Sequence, residues 1–143
     1  VTITLVVPGP PVGFARTRLA RTRTGRIIPF TPKKPRNHMA FIKALFVQKY
    51  PGFTPLDGPL EMEIVVCFPI PKSASKRRRE DMFWQRELPT KKPDIDNLCK
   101  IFLDAMNGLA YRDDAQIVSL AVIKQYSTTP QTEVKIRNVG EEP

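Results

Sequence analysis

Two pairs of aspartates, Asp94-Ile95-Asp96 and Asp113-Asp114, stand in a chain of 143 residues whose formal net charge is +9. Carboxylates crowded together repel and raise one another's pKa, so acids grouped beside a basic surface imply a counterion, most simply a divalent cation. Oxygen ligands without a partner histidine suit Mg2+, with Mn2+ as the alternative, held by a few carboxylates and completed by water and a phosphate oxygen. Lys100, one helical turn beyond Asp96, is placed to stabilise charge that develops there. A metal site in a basic chain points to phosphodiester chemistry. The bland alternative is that an aspartate at a helix start is a routine cap and that Asp96 with Lys100 is a routine surface pair. The recurrence of acids at Asp113-Asp114, in a chain otherwise rich in bases, favours the metal.

The elements around these acids decide whether they can meet. Pro93 cannot lie inside a helix and pushes Lys92 toward extended geometry, so Asp94 and Ile95 lead in and Asp96 sits at the cap or first turn. Leu98, Ile101, Phe102, Ala105, Met106 and Leu109 follow helical spacing, and Gly108 is placed as the left-handed terminator. A helix from Asp96 to Asn107 is about 18 Å long. It leaves Asp114 at the wrong end. Either the link after Gly108 runs back along the helix, or a second copy of the chain supplies Asp114, which would make dimerisation a condition of metal binding.

Elsewhere the order reads β, basic loop, α, β, basic insertion, α, β, β. Thr2–Val7 is an apolar strand ended by Pro8-Gly9-Pro10-Pro11, and Phe14–Phe30 is an arginine-lined hairpin or loop. Asn37 is a candidate cap for a first helix halted by Pro51-Gly52. Leu60–Pro69 alternates as a central strand, and Ala115–Tyr126 and Thr132–Val139 read as two more. The expected fold is α+β: one small domain spanning residues 1–143, with a mixed sheet of about four to five strands packed against two main helices. A second domain has no room.

The 23 Lys and Arg outnumber the 14 Asp and Glu, and their excess sits in two blocks. The basic loop, residues 13–36, holds Arg16, Arg18, Arg21, Arg23, Arg26, Lys33 and Lys34, with no acid. The basic insertion, residues 72–92, holds Lys76, Arg77, Arg78, Arg79, Lys91 and Lys92. Bases crowded in this way read as phosphate contacts to a nucleic acid. Within the insertion a short helix could cover Lys76 to Gln85. Its Phe83 and Trp84 either stack on bases or wedge a branched duplex or, as aromatics more often do, pin the segment to the core. Cys67 and Cys99 stand apart and read as reduced thiols near the core, neither disulfide nor zinc ligands. No apolar run approaches a membrane span, and Val1–Val7 has no leader pattern, so a cytoplasmic protein without membrane contact or small-molecule cofactor is expected.

The run Lys92-Pro-Asp-Ile-Asp-Asn-Leu-Cys-Lys100, followed by Leu-Asp-Ala-Met-Asn-Gly-Leu-Ala-Tyr-Arg-Asp-Asp-Ala-Gln-Ile-Val118, strongly resembles the RusA family of Holliday junction resolvases. The proline-rich opening and the basic Phe-Thr-Pro-Lys-Lys segment, between Pro8 and Lys34, extend the likeness over more than half of the chain. The resemblance implies a homodimeric, Mg2+-dependent endonuclease that binds four-way DNA junctions and nicks two opposed strands symmetrically. It also implies metal-binding roles for Asp94 and Asp96, an essential Lys100 and a third catalytic acid at Asp114, with Asp113 as a further candidate ligand, and it favours a site completed across the dimer. The long insertion 72–92 departs from the family pattern.

Two rivals are weighed. A restriction-endonuclease-like nuclease would use Pro93-Asp94 with Glu133-Val134-Lys135, although those residues fit equally well as one exposed strand face. A non-enzymatic nucleic-acid-binding module would use the bases alone. His38, the only histidine, reads as an early residue of the first helix and argues against a histidine general base.

Overall fold

The computed structural model describes residues 2–30 and 32–141. Val1 ahead of the first strand and Thr31 of the Phe-Thr-Pro-Lys-Lys segment lie outside the described residues. Strand β1 (Thr2–Pro8) is followed by a hairpin of β2 (Arg18–Arg21) and β3 (Ile27–Phe30), and helix α1 (Lys33–Lys49) precedes β4 (Leu60–Pro69). Helix α2 (Lys76–Phe83) lies in the insertion, and α3 (Ile95–Met106) leads through a 3-10 turn at Asp114–Gln116 into β5 (Ile117–Ser127) and β6 (Gln131–Asn138). The main sheet has the order β1-β6-β4-β5, with β4 parallel to β5 and antiparallel to β6. This is the α+β mixed sheet expected, with four strands and a separate two-stranded hairpin.

Alternation along the strands makes one face of the sheet apolar and places it under the helices. Ile3, Leu5 and Val7 of β1, Val134 and Ile136 of β6, and Met62, Ile64, Val66 and Phe68 of β4 form one core with Leu98, Ile101, Phe102, Ala105 and Met106 of α3. Each fully buried side chain of this kind stabilises the fold by about 1.5–3 kcal/mol. The other face is charged: Arg137 forks to Glu61 and Glu63 at 3.0 and 3.3 Å, and Lys135 pairs with Glu133 at 3.4 Å.

Helix α1 begins four residues before the expected cap at Asn37, with Pro32 at its N-cap and no side-chain cap bond. Pro35 falls at its third position, where a backbone N–H would have no intrahelical partner, so the proline costs nothing there. His38, as expected, is an early residue of this helix, packed near Phe41 and Phe102. Burial, then the charge of Lys34, lowers its pKa. Cys67 and Cys99 are free thiols, the first buried. Among the described residues no helix is long and apolar enough to cross a membrane.

Candidate active site

Asp94 is the N-cap residue of α3, its backbone extended (φ −68°, ψ 154°), and Asp96 lies in the first helical turn. The capping explanation fails on a point of geometry. Asp94 makes no side-chain cap bond, although its backbone carbonyl accepts from Leu98 N–H at 3.0 Å. Its carboxylate is exposed and uncommitted.

Three contacts hold this end of α3. Lys124 of β5 donates to the carbonyls of Lys91 and Pro93 at 2.7 and 3.1 Å, fixing the lead-in to Asp94 against the sheet. Phe14 N–H donates to the Asn97 carbonyl at 2.9 Å, so the segment after β1 straps across the first turn. Gly13 makes the strap possible, since a Cβ there would stand 2.8 Å from Pro93 Cβ and 3.3 Å from Asn97 Cβ. A shallow hollow of about 240 Å³ opens beside Asp94, lined by Gly13, Phe14, Lys92, Pro93 and Asn97.

Lys100 does not pair with Asp96 as the spacing suggested. Its Nζ lies 3.4 Å from Asp104 Oδ2 and 4.9 Å from the centre of the Phe14 ring. Asp104 in turn lies near enough to Asp114 for its charge to be felt there. Asp104 was missed from the sequence, where it reads only as solvent-side polar; its i,i+4 spacing from Lys100 was the available signal.

The link after α3 turns back part of the way. Gly108 adopts φ +82°, as expected of the terminator, and its N–H donates to the Tyr111 carbonyl at 2.8 Å. Tyr111 is fully buried, and its hydroxyl donates to the Leu103 carbonyl at 2.7 Å. Burial first, then the charges of Asp114 and Asp104, push that phenol well above its usual range. Asp113 caps the 3-10 turn by accepting from Ala115 N–H at 2.9 Å, and the Gln116 side chain accepts from the N–H groups of Arg112 and Asp113. Gln116 also donates to the carbonyls of Leu56 and Gly58.

Asp113 and Asp114 lie close enough for each to perturb the ionisation of the other. The Ala115 N–H, then the neighbouring Asp114, holds Asp113 below the usual carboxylate range. Asp114 is raised by burial, by Asp113 and by the charge of Asp104, against the opposing pull of Lys100. After the returning link, Asp114 thus feels the charges of both Asp104 and Lys100. Among the described residues no three His, Cys, Asp or Glu side chains of one chain gather closely enough to hold a metal ion.

The donor set nevertheless fits a hard divalent cation: Asp94 carries an uncommitted carboxylate, and the Asp113–Asp114 pair is electrostatically short of positive charge. The rival with Glu133 and Lys135 does not assemble. Those two residues alternate with buried Thr132, Val134 and Ile136 and so face away from the helix layer that carries Asp94.

The basic residues lie in two segments of the chain. Arg18 and Arg21 lie on β2, Arg16, Arg23 and Arg26 beside it, and Lys33 and Lys34 in the first turn of α1; all are exposed. Lys76, Arg77, Arg78 and Arg79 line α2, with Lys91 and Lys92 just before Asp94. Arg78 pairs with Glu87 at 2.9 Å.

Known proteins agree with this architecture. Residues 8–137 match the family described as Endodeoxyribonuclease RusA. An uncharacterised protein of Bacillus subtilis (strain 168), YqaN, is 37% identical over 140 residues, which is 96% of this chain and 97% of the relative. The span of the family match includes both aspartate pairs, Lys100 and both basic blocks, and the chain belongs to the RusA endodeoxyribonuclease family.

Proposed function

We propose that this endonuclease resolves four-way DNA junctions by paired symmetric nicks, using Mg2+ or Mn2+ held by Asp94 and Asp96 of one chain and Asp114 of the partner subunit. One observation carries the composite site: Asp94 and Asp96 stand at the start of a 12-residue helix while Asp113-Asp114 follow its end, and among the described residues no three acids of one chain gather closely enough to hold a metal ion.

The exposed edge of β5 supports a second copy as the missing part. This outer strand is 11 residues long, with Val118, Leu120 and Ile123 exposed along it, a template for pairing with another chain. Pairing two such edges antiparallel about a two-fold axis sets the start of one strand, which follows Asp114, beside the end of the other, where Lys124 holds the lead-in to Asp94.

A bound divalent cation would polarise the scissile phosphate and lower the pKa of an attacking water. The chain's own contribution is to aim Asp94 and Asp96 from a fixed helix start and to hold Lys100, steadied by Phe14 and Asp104, where it can meet the developing negative charge. The hairpin and α2 supply cations for DNA phosphates. Such a substrate puts the work in the cytoplasm.

Purified protein incubated with synthetic four-way junctions and with linear duplex, in Mg2+ and in excess chelator, tests the reading. Symmetric nicks in the junction alone, only with Mg2+, are expected. Undiminished cutting in chelator, or equal cutting of linear duplex, would overturn it.

A further inference from the structure

A hollow of about 520 Å³ lies beside α2, within the size range of ligand sites. Phe83, Trp84 and Ile70 form its apolar walls, with Lys72, Arg79 and Glu80 among them. We propose that it receives an unpaired nucleobase of the DNA substrate, stacked on Trp84 or Phe83, while Lys72 and Arg79 meet the adjoining phosphates. The inference rests on the reading of the chain as a junction endonuclease and adds a contact outside its acidic site.

Structural duty does not account for the two aromatics. The insertion is already anchored: Met82 is 1% exposed, the Gln85 side chain makes two hydrogen bonds with the Tyr126 backbone, and Arg78 and Arg86 pair with Glu87 and Asp81. Phe83 and Trp84 meanwhile remain 51% and 61% exposed, so the more common pinning role belongs to Met82 alone. The two rings meet edge to face, with centroids 5.0 Å apart and planes at 89°. An edge-to-face pair leaves ring faces open for a third aromatic group.

Charge selects the occupant. Among the described residues Lys72 and Arg79 make no ion pair, and exposed Lys76 and Arg77 stand beside them on α2. Aromatics interleaved with free cations fit a nucleotide, whose base stacks while its backbone is neutralised; an apolar peptide would strand those charges. Glu80 on the rim keeps phosphate from its own side and can accept from an exocyclic amino group.

Position favours the same occupant. Ile70 follows β4 and Thr128 follows β5, so the hollow lies outside the carboxyl ends of the two parallel strands. Lys124 ties Pro93, and with it Asp94, to that same end of β5. A strand leaving the acids therefore has this aromatic seat on its side of the sheet.

Trp84 is the only tryptophan, which makes the protein its own reporter. In excess chelator, where no cutting occurs, titration with a short single-stranded deoxyoligonucleotide is expected to quench Trp84 fluorescence. An abasic strand of the same length is expected to leave it unquenched. Phe83→Ala should weaken the base-dependent binding about tenfold with an unchanged melting temperature. Equal quenching by the abasic strand, no quenching at all, or a Trp84 signal that changes with protein concentration in the absence of DNA would overturn the proposal, the last by marking the hollow as a seat for another chain. Junction cutting with an unresponsive Trp84 would sink the hollow alone, whereas base-dependent quenching in a protein that does not cut junctions would uphold it and sink the resolvase reading.

Discussion

Asp94 and Asp96 are held out at the start of a helix, whereas Asp113 and Asp114 are pressed against each other in a tight turn. The first pair stands on a rigid element strapped by Phe14 and Lys124, with the Asp94 carboxylate free of any capping duty. In the second, the Asp113 carboxylate is taken up by the Ala115 N–H, and Asp114 resists ionisation through burial and neighbouring negative charge. One pair stands open to solvent on a fixed element; the other sits where neighbouring negative charge opposes its ionisation. That difference suits the proposed site, in which the two pairs are halves that meet between chains.

The largest test of that contrast is subunit mixing. Asp96→Asn and Asp114→Asn should each lower junction cleavage on the order of 1,000-fold while leaving junction binding intact. Mixed in equal amounts, the two variants should recover roughly a quarter of wild-type nicking, since half of the dimers would be hybrid and each hybrid would hold one intact site. No recovery would mean that both pairs serve one chain, and the contrast would collapse.

A smaller effect is expected at the strap. Gly13→Ala should cost about 1–3 kcal/mol, read from the denaturant midpoint, because the new methyl collides with Pro93. The same variant should lower cleavage by displacing Asp94. Unchanged stability and cutting would show that the strap does not position the first pair.

The smallest effect concerns the charge of the second pair, measured by thermal unfolding in excess chelator. The pKa of Asp114 is raised in the fold, so its stabilising share is complete below the unfolded carboxylate pKa and is lost as pH rises through the raised value. Asp113, held low, contributes in the opposite sense: its share is present above the unfolded pKa and disappears as pH falls. Asp114→Asn should therefore melt slightly higher than wild type at neutral pH and Asp113→Asn slightly lower. The reverse order would erase the distinction between the two carboxylates.

Much of the scaffold was readable because its periods are clean. The alternation of Leu60 to Phe68 and the stripe from Leu98 to Met106 correspond to β4 and α3, and Gly108 ends the helix as its position implied. Helix α1 was misplaced at its start because Pro35 reads as a breaker, although the first turn tolerates it. Distance along the chain explains most of what was missed at the site. Nothing local in the sequence says that Phe14 crosses α3, that Lys124 holds the Pro93 carbonyl, or that Asp104 rather than Asp96 takes Lys100. Such contacts are settled by packing and by the summed field of neighbouring charges, which spacing alone does not encode. The same holds for Phe83 and Trp84, whose exposure depends on Met82 having filled the only inward position of that helix.

Gln85, the one non-glycine residue with a positive φ among those described, deserves a last consequence. By offering its amide to both the N–H and the carbonyl of Tyr126, it imitates one rung of a neighbouring strand. Any second strand arriving along this border meets that stopper and can extend no further, so a single side chain limits the registers in which two copies can zip together. In the proposed dimer, a long apolar margin left bare thereby admits one sibling without inviting an endless ribbon.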